Sequence, residues 1–179
     1  MYEDLVPERM FFQAVHFDRL GNIQYKFAEK ERHPEVIYPS FTNDAFALEL
    51  YLKCLIVLNN VILSKKKFQT HKLLDLYTFL PIELRMAIEG HYMIHLRKFP
   101  SDMIIVIETE NGPVPVNYFP KTVRENLERM NDAFVVFRYI FEKNNFLNQS
   151  SGWPGPVKEI LKNHILQIKP EWKSHLPPK

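Results

Sequence analysis

Apolar residues recur every three to four positions along most of this chain of 179 residues, a spacing that is typical of amphipathic helices. The pattern predicts a first long helix over residues 7–31. Its predicted buried stripe consists of Phe11, Val15, Leu20, Ile23 and Phe27. Residues 43–63 are apolar around most of the helix circumference, which indicates a central, buried helix with its cap at Thr42 or Asn43. A solvated turn is predicted at residues 64–67. Two further helices follow, over residues 70–79, with Thr70 as the cap, and over residues 82–98.

The pattern changes after residue 100. The run Met103–Ile107 is mostly β-branched, and Asn111-Gly112 is a typical hairpin turn, so residues 102–118 are predicted to form a small β-hairpin. Pro113 and Pro115 confine the returning strand to a sheet edge, because proline has no backbone N–H to donate to a neighbouring strand.

Helical spacing then returns and predicts a long helix over residues 121–144. The segment Ser151–Pro156 is a breaker, and it precedes an amphipathic helix over 157–168 and a frayed tail. The predicted fold is therefore all-α: an antiparallel helical bundle over 1–150 with a β-hairpin insertion, then a C-terminal helix and tail over 151–179. The apolar stripe of that last helix must pack either on its own bundle or across a dimer interface.

Composition and charge are those of an ordinary globular domain, with 46% hydrophobic and 25% charged residues. The net charge of +2 is too small to indicate nucleic-acid binding, so any such surface requires local clustering. The single cysteine, Cys54, excludes an internal disulfide and favours a reducing cytoplasm. No apolar run approaches the ~20 residues that span a bilayer. Without a glycine-rich phosphate loop, no cofactor is expected.

One charged pair interrupts the most apolar helix. Glu49 and Lys53 are four positions apart, with the glutamate nearer the N-terminus, which is the favourable order for a helical ion pair. Spacing alone favours a position at the rim of the core, where the lysine reaches water. If the pair is buried instead, each charge needs further partners.

The order of residues in this region resembles the HEPN (higher eukaryotes and prokaryotes nucleotide-binding) family. The resemblance is carried by Asn43–Leu55, with its Glu-Leu-x-x-Lys, by the basic turn that follows, and by Thr70–Leu76 and Leu80-Pro81. The segment Asn131–Tyr139 resembles the long helix that ends the family's bundle. The resemblance implies a cytoplasmic homodimer that acts in prokaryotic stress or defence, as in toxin–antitoxin systems, through RNA or a partner protein.

The same resemblance implies a polar cluster of Glu49, Lys53 and His71. In this hypothesis His71 hydrogen-bonds Glu49, and the cluster fixes how the second predicted helix docks against the third. Polar groups in a core specify one packing when all of them are satisfied.

In active HEPN ribonucleases, which cleave RNA without metal, four to six residues separate an arginine from the histidine that follows it. Arg85 and His91 match this spacing, as do Arg9 and His16 on a helix that is not the family's catalytic one. Both matches have methionine where a polar residue usually follows the arginine. On a straight helix Arg85 and His91 point about 120° apart, and only a kink at Gly90 would join them. A non-catalytic binding module is therefore the leading prediction, and a metal-independent ribonuclease is the alternative.

Basic residues form two local clusters that predict an RNA-binding surface. They are Lys65, Lys66, Lys67 and Lys72 beside His71, and Arg97 with Lys98. Residues 157–179 carry a further net charge of +3. Trp153 precedes this segment and Trp172 lies within it, and aromatic rings can stack on bases. Simple solubility is the rival explanation.

Two other site types are weaker. His91 and His95 share a helix face but lack a third ligand, so no metal is predicted. A small-ligand pocket is an open alternative, and its predicted lining is Tyr51, Tyr77, Tyr92 and Phe137.

Overall fold

The computed structural model describes residues 6–31, 37–98, 105–109, 112–116, 120–131 and 154–177. Most of these residues are helical, which confirms the prediction of an all-α protein. In chain order the described elements are α1 (Pro7–Glu31), α2 (Ile37–Leu58), α3 (Lys65–Phe68), α4 (Leu73–Thr78), α5 (Ile82–Leu96), β1 (Ile105–Thr109), β2 (Gly112–Val116), α6 (Val123–Arg129), α7 (Pro154–Ile168) and a final 3-10 helix (Pro170–His175). Helix α2 is central, since it packs against α1, α4 and α7.

Helix α1 has the predicted bounds, but only its first half buries the predicted stripe. Phe11 and Val15 lie in the core. The rest of the stripe is about half exposed: Leu20, Ile23 and Phe27. The prediction is wrong for these three because the second half of α1 turns small residues inward. Gly21 is buried there, and a methyl group in its place would lie 3.2 Å from the Ser40 carbonyl oxygen of α2.

Helix α2 both begins and ends earlier than the predicted range 43–63. Asn43 therefore lies inside the helix and does not cap it. The C-terminal end is set by Asn60, whose φ of 54° is left-handed. The Val61 amide then donates to the Ile56 carbonyl at 3.1 Å, which is the hydrogen bond of a Schellman ending.

The predicted solvated turn after α2 is the short helix α3. The Ser64 side chain caps it by accepting a hydrogen bond from the Lys67 amide at 3.4 Å. Phe68 anchors the helix in the core. Thr70 does not cap α4 as predicted, because α4 begins later; its hydroxyl instead accepts from the Lys72 amide at 3.1 Å.

Helix α5 agrees with its predicted range to within its last turn. Strands β1 and β2 pair antiparallel, with Ile105 opposite Val116 and Thr109 opposite Gly112. Residues 110–111, at the predicted turn, lie outside the described residues.

A carboxylate from α5 holds the N-terminus of α6. The two Glu89 oxygens accept from the Val123 amide at 2.9 Å and the Arg124 amide at 3.1 Å. The Thr122 side chain is the N-cap. Amides at a helix N-terminus lack partners within the helix, so these contacts satisfy them. Beyond residue 131 the predicted long helix lies outside the described residues.

Helix α7 begins inside the predicted breaker, with Pro154 and Pro156 in its first turn, where no amide donor is needed. It packs on its own chain, against α2 and α5. Of the end predicted to be frayed, residues 178–179 lie outside the described residues. A 3-10 helix that the sequence did not predict follows α7. Its Trp172 is buried with its ring centroid 5.3 Å from that of Phe11. Trp153 lies outside the described residues.

None of the described helices has the length and apolar character that crossing a membrane requires.

Candidate nucleic-acid interface

The three residues of the predicted polar cluster meet where α2 passes the start of α4. The Lys53 Nζ atom donates to Glu49 Oε1 at 2.6 Å. The His71 Nδ1 atom lies 3.2 and 3.1 Å from the two Glu49 oxygens. The side chains of Glu49 and Lys53 are 7% and 12% exposed, and that of His71 is 70% exposed. The structure therefore brings the three together and places the charges of Glu49 and Lys53 inside, not at the rim.

The chemistry of the groups fixes which atoms donate and which accept in this cluster. Because a carboxylate only accepts hydrogen bonds, the His71 Nδ1 atom is the donor to Glu49. Glu49 thus holds two donors, which offsets the cost of burying its charge. One of them belongs to α2 and the other to the segment between α3 and α4. The contact therefore fixes an exposed imidazole on the surface at the edge of α2.

Two lysines near this imidazole lie over aromatic rings. The Lys53 Nζ atom is 5.6 Å from the centroid of Phe68, and the Lys67 Nζ atom is 5.9 Å from that of Phe79. A cation within about 6 Å of a ring centroid is attracted by the ring quadrupole. This contact restrains Lys67 while leaving the residue exposed.

The first predicted basic cluster forms an exposed surface next to His71. Its four residues, called the basic surface here, are Lys65, Lys66, Lys67 and Lys72. They fall within residues 65–72, which contain no acidic residue. Phe68 and the Glu49 contact hold this segment at two points, so four positive charges are presented on a fixed backbone. Arg97 and Lys98, the second predicted cluster, are exposed at the C-terminal end of α5.

The structure does not bring Arg85 and His91 together. The Arg85 Nε atom donates to the Leu80 carbonyl at 3.2 Å, in the loop that precedes α5. The His91 Nδ1 atom lies 3.1 Å from His164 Nε2 on α7. Helix α5 continues through Gly90, and the two side chains are held by different parts of the chain.

The histidine pair between α5 and α7 was not foreseen. The rings of His91 and His164 have their centroids 5.0 Å apart. Burial lowers the pKa of His164, and the neighbouring His91 lowers it further. Protein zinc sites use at least three protein ligands. In the part of the chain that is described, no group of three or more histidine, cysteine or acidic residues could hold a metal ion. His95, which the sequence analysis considered beside His91 as a metal ligand, is partly buried.

A buried charged cluster, also missed by the sequence analysis, joins three helices. Lys158 of α7 forms ion pairs with Asp44 of α2 and, at 2.7 Å, with Asp18 of α1. The three side chains are 3%, 11% and 15% exposed. The spacing carried a signal, because Asp44 shares its helix face with Leu48 and Lys158 shares its face with Ile165.

Burial has the largest effect on the electrostatics at Asp44. Burial raises the pKa of Asp44, Lys158 opposes that rise, and Asp18 adds to it. Tyr51 lies beside the cluster, and burial together with the Asp18 charge raises the pKa of its phenol.

The tyrosines of the predicted pocket fill the core. Tyr51, Tyr77 and Tyr92 are all buried. The Tyr77 hydroxyl donates to a carboxylate at 3.1 Å and the Tyr92 hydroxyl to a backbone carbonyl at 2.9 Å. Both hydroxyls thus serve packing. Phe137 lies outside the described residues.

Comparison of the chain with protein-family models, curated proteins and solved structures gives no match. The HEPN resemblance therefore stays a prediction that rests on the residues quoted for it.

Proposed function

We propose that this protein is a non-catalytic RNA-binding module with a HEPN-like helical bundle and a β-hairpin insertion. Single-stranded RNA would lie along the basic surface. The observation that carries the proposal is the run of four exposed lysines on a segment held by Phe68 and by the contact between Glu49 and His71. A partner protein is the rival ligand, and it is an outcome of the test.

The chemistry of the basic surface suits an unpaired strand. Each lysine that neutralises a phosphate releases a counterion. The logarithm of the binding constant therefore falls with the logarithm of the salt concentration, with a slope of about 0.7 per contact on single strands. Four contacts give a slope near 2.8. The exposed imidazole of His71 adds a flat ring on which an unpaired base can stack. Arg97 and Lys98 offer a second place for phosphates.

Two other predicted sites are less suited to RNA. In the C-terminal segment Lys158 and Trp172 are buried, so neither is presented to a ligand. Arg85 and His91 contact different elements, which speaks against the ribonuclease that this pair would form. A homodimeric state and a role in prokaryotic stress or defence remain parts of the proposal through the resemblance.

Fluorescence anisotropy with a labelled single-stranded RNA of about 20 nucleotides tests RNA binding. The double variant Lys65→Glu/Lys66→Glu should bind roughly tenfold more weakly than wild type, with a salt slope lower by about 1.4. The control Arg19→Glu/Lys26→Glu makes the same charge change at exposed positions of α1 and should stay within about twofold of wild type. Equal losses in both variants, or no binding by wild type, would overturn the proposal; no binding would favour a protein ligand.

Incubation of total cellular RNA with the purified protein in EDTA tests the catalytic alternative. The expected result is intact RNA. Cleavage that disappears in both Arg85→Ala and His91→Ala would establish the ribonuclease instead.

A further inference from the structure

One face of α5 is apolar and exposed, although the helix is packed on its other side. Ile88 and Tyr92 face the core. The exposed apolar face, called the α5 face, consists of Ile82, Met86, Ala87, Gly90, Met93 and Ile94. Its four large side chains are between 47% and 68% exposed. Single exposed apolar residues are ordinary, but a contiguous set on one helix marks an interaction surface.

The two ends of the α5 face carry opposite charges. Glu83 lies seven positions before Gly90, and Arg97 lies seven positions after it; both are exposed. Positions 83, 86, 90, 93 and 97 recur at alternating intervals of three and four, which is the stripe that one helix presents to another in a coiled coil. The stripe is therefore acidic at its start, apolar in the middle and basic at its end.

We propose that the α5 face is the contact between two copies of this chain, with the two α5 helices antiparallel about a two-fold axis at Gly90. In that arrangement Glu83 faces the partner's Arg97, and Met86 faces the partner's Ile94. Ala87 faces the partner's Met93, and the two copies of Gly90 meet on the axis. The inference rests on the homodimer of the proposed function and names the surface that forms it.

Charge decides between this geometry and its rivals. A parallel pair would set Glu83 against its own copy and Arg97 against its own copy, and both contacts are repulsive. In the antiparallel pair Glu83 of each copy attracts the partner's Arg97. This contact forms twice, as a two-fold interface requires. Helix α7, the other candidate for a dimer contact, packs on its own chain.

Gly90 permits the helices to approach closely. A methyl group at this position would meet nothing within 4 Å in its own chain. Helices packed 8–10 Å apart, each with a Cα radius near 2.3 Å, bring facing Cα atoms to roughly 3.4–5.4 Å. A disulfide needs about 4.4–6.8 Å between Cα atoms, so this range can be tested chemically.

Charge exchange with sedimentation equilibrium is the first test. Glu83→Arg alone and Arg97→Glu alone should each weaken the dimer roughly tenfold, because each turns two attractions into repulsions. An equimolar mixture of the two variants should restore the affinity through a heterodimer. The control Glu128→Arg makes the same charge change at an exposed position of α6 and should leave the dimer unchanged.

Cysteine cross-linking then tests the register. Gly90→Cys should form a disulfide dimer under mild oxidation, whereas Ala87→Cys alone should not, since its two copies lie about 9 Å apart along the axis. A mixture of Ala87→Cys and Met93→Cys chains should cross-link. Cys54 does not interfere, because it is buried and burial raises the pKa of its thiol to about 12.

The outcomes separate the inference from the proposals on which it rests. A chain that is monomeric at all concentrations would overturn both the homodimer and this interface. A dimer that is insensitive to the charge changes, or that cross-links through Ala87→Cys alone, would overturn the α5 face and leave the homodimer standing. The RNA-binding test changes Lys65 and Lys66, which lie outside the α5 face, so it does not depend on either result. In the dimer Arg97 pairs with Glu83 of the partner subunit, which leaves Lys98 for phosphates.

Discussion

Replacing Lys158 by methionine removes a cation that two largely buried carboxylates share. The substitution keeps an unbranched side chain of similar length, so packing changes little. What remains is Asp18 and Asp44 facing each other at the junction of α1, α2 and α7. Removing one partner of a buried ion pair costs about 3–5 kcal/mol. Because the two carboxylates keep 11–15% exposure, we expect the lower end, about 3 kcal/mol.

That loss is large beside the total stability of a domain, which is about 5–15 kcal/mol. For a chain of this size it corresponds to a fall in melting temperature of about 6–12 °C. The matched control is Lys162→Met, which removes a partly exposed lysine from the same helix. It should change the free energy of unfolding by no more than about 0.5 kcal/mol.

The loss should depend on pH in a defined direction. Lys158 lowers the pKa of Asp44, so the folded variant has an Asp44 pKa even further above its ordinary value of 3.8. A group whose pKa is raised on folding binds more protons in the folded state, so stability falls as pH rises through the window from 3.8 to the folded pKa. Protonation of Asp44 also removes its repulsion with Asp18. The deficit relative to wild type is therefore smaller near pH 5 than near pH 7.5.

Urea titrations at both pH values, followed by circular dichroism, measure these differences. The double variant Lys158→Met/Asp44→Asn should recover part of the loss, and the double-mutant cycle then gives the coupling between the two residues. A deficit below about 1 kcal/mol at both pH values, or one that grows as pH falls, would refute the reasoning.

Five further substitutions, one of them a control, test other contacts by urea and thermal unfolding. Glu49→Ala should lower the free energy of unfolding by about 3 kcal/mol, because the buried Lys53 ammonium loses its carboxylate. An unchanged melting temperature would contradict the structural role of Glu49. His71→Ala should cost less, because its side chain is 70% exposed. Glu89→Gln should cost about 1 kcal/mol, since the α6 N-terminus loses a charged cap, and no change would show that the cap is not needed. Gly21→Ala should cost about 1–3 kcal/mol through overlap with an α2 side chain, whereas Gly155→Ala, which has open space, should lose nothing.

Helical periodicity predicted the class of the fold and most of the helices, because local spacing records which side of a helix is buried. It failed where a single backbone angle decides the boundary. Asn60 ends α2 in a left-handed conformation, and nothing in the apolar run 61–63 signals that stop. It also failed in the second half of α1, where Gly21 faces inward and larger residues face out.

Spacing alone indicated only that Glu49 and Lys53 share a helix face; the HEPN resemblance implied that His71 joins them. For Lys158 the spacing indicated only a shared face with Ile165 and gave no indication of its partners. Its partner Asp44 is 114 positions away, so only the packing of α7 on α2 brings the two together. Lysine is seldom fully buried, and this general rule argued against a buried position for Lys158, although the residue lies on the apolar face of its helix.

The buried polar groups share one geometric property, which gives them a common role. Each links helices that are distant in the chain: Lys158 joins α1, α2 and α7, Glu49 joins α2 to the start of α4, and Glu89 joins α5 to α6. A slip of one residue along α2 would rotate its buried carboxylates by about 100° and separate them from their partners. Apolar contacts tolerate such a slip far better, because they are not directional. We therefore expect the charges inside this protein to select one alignment of its helices, which in turn presents the basic surface and the α5 face outward.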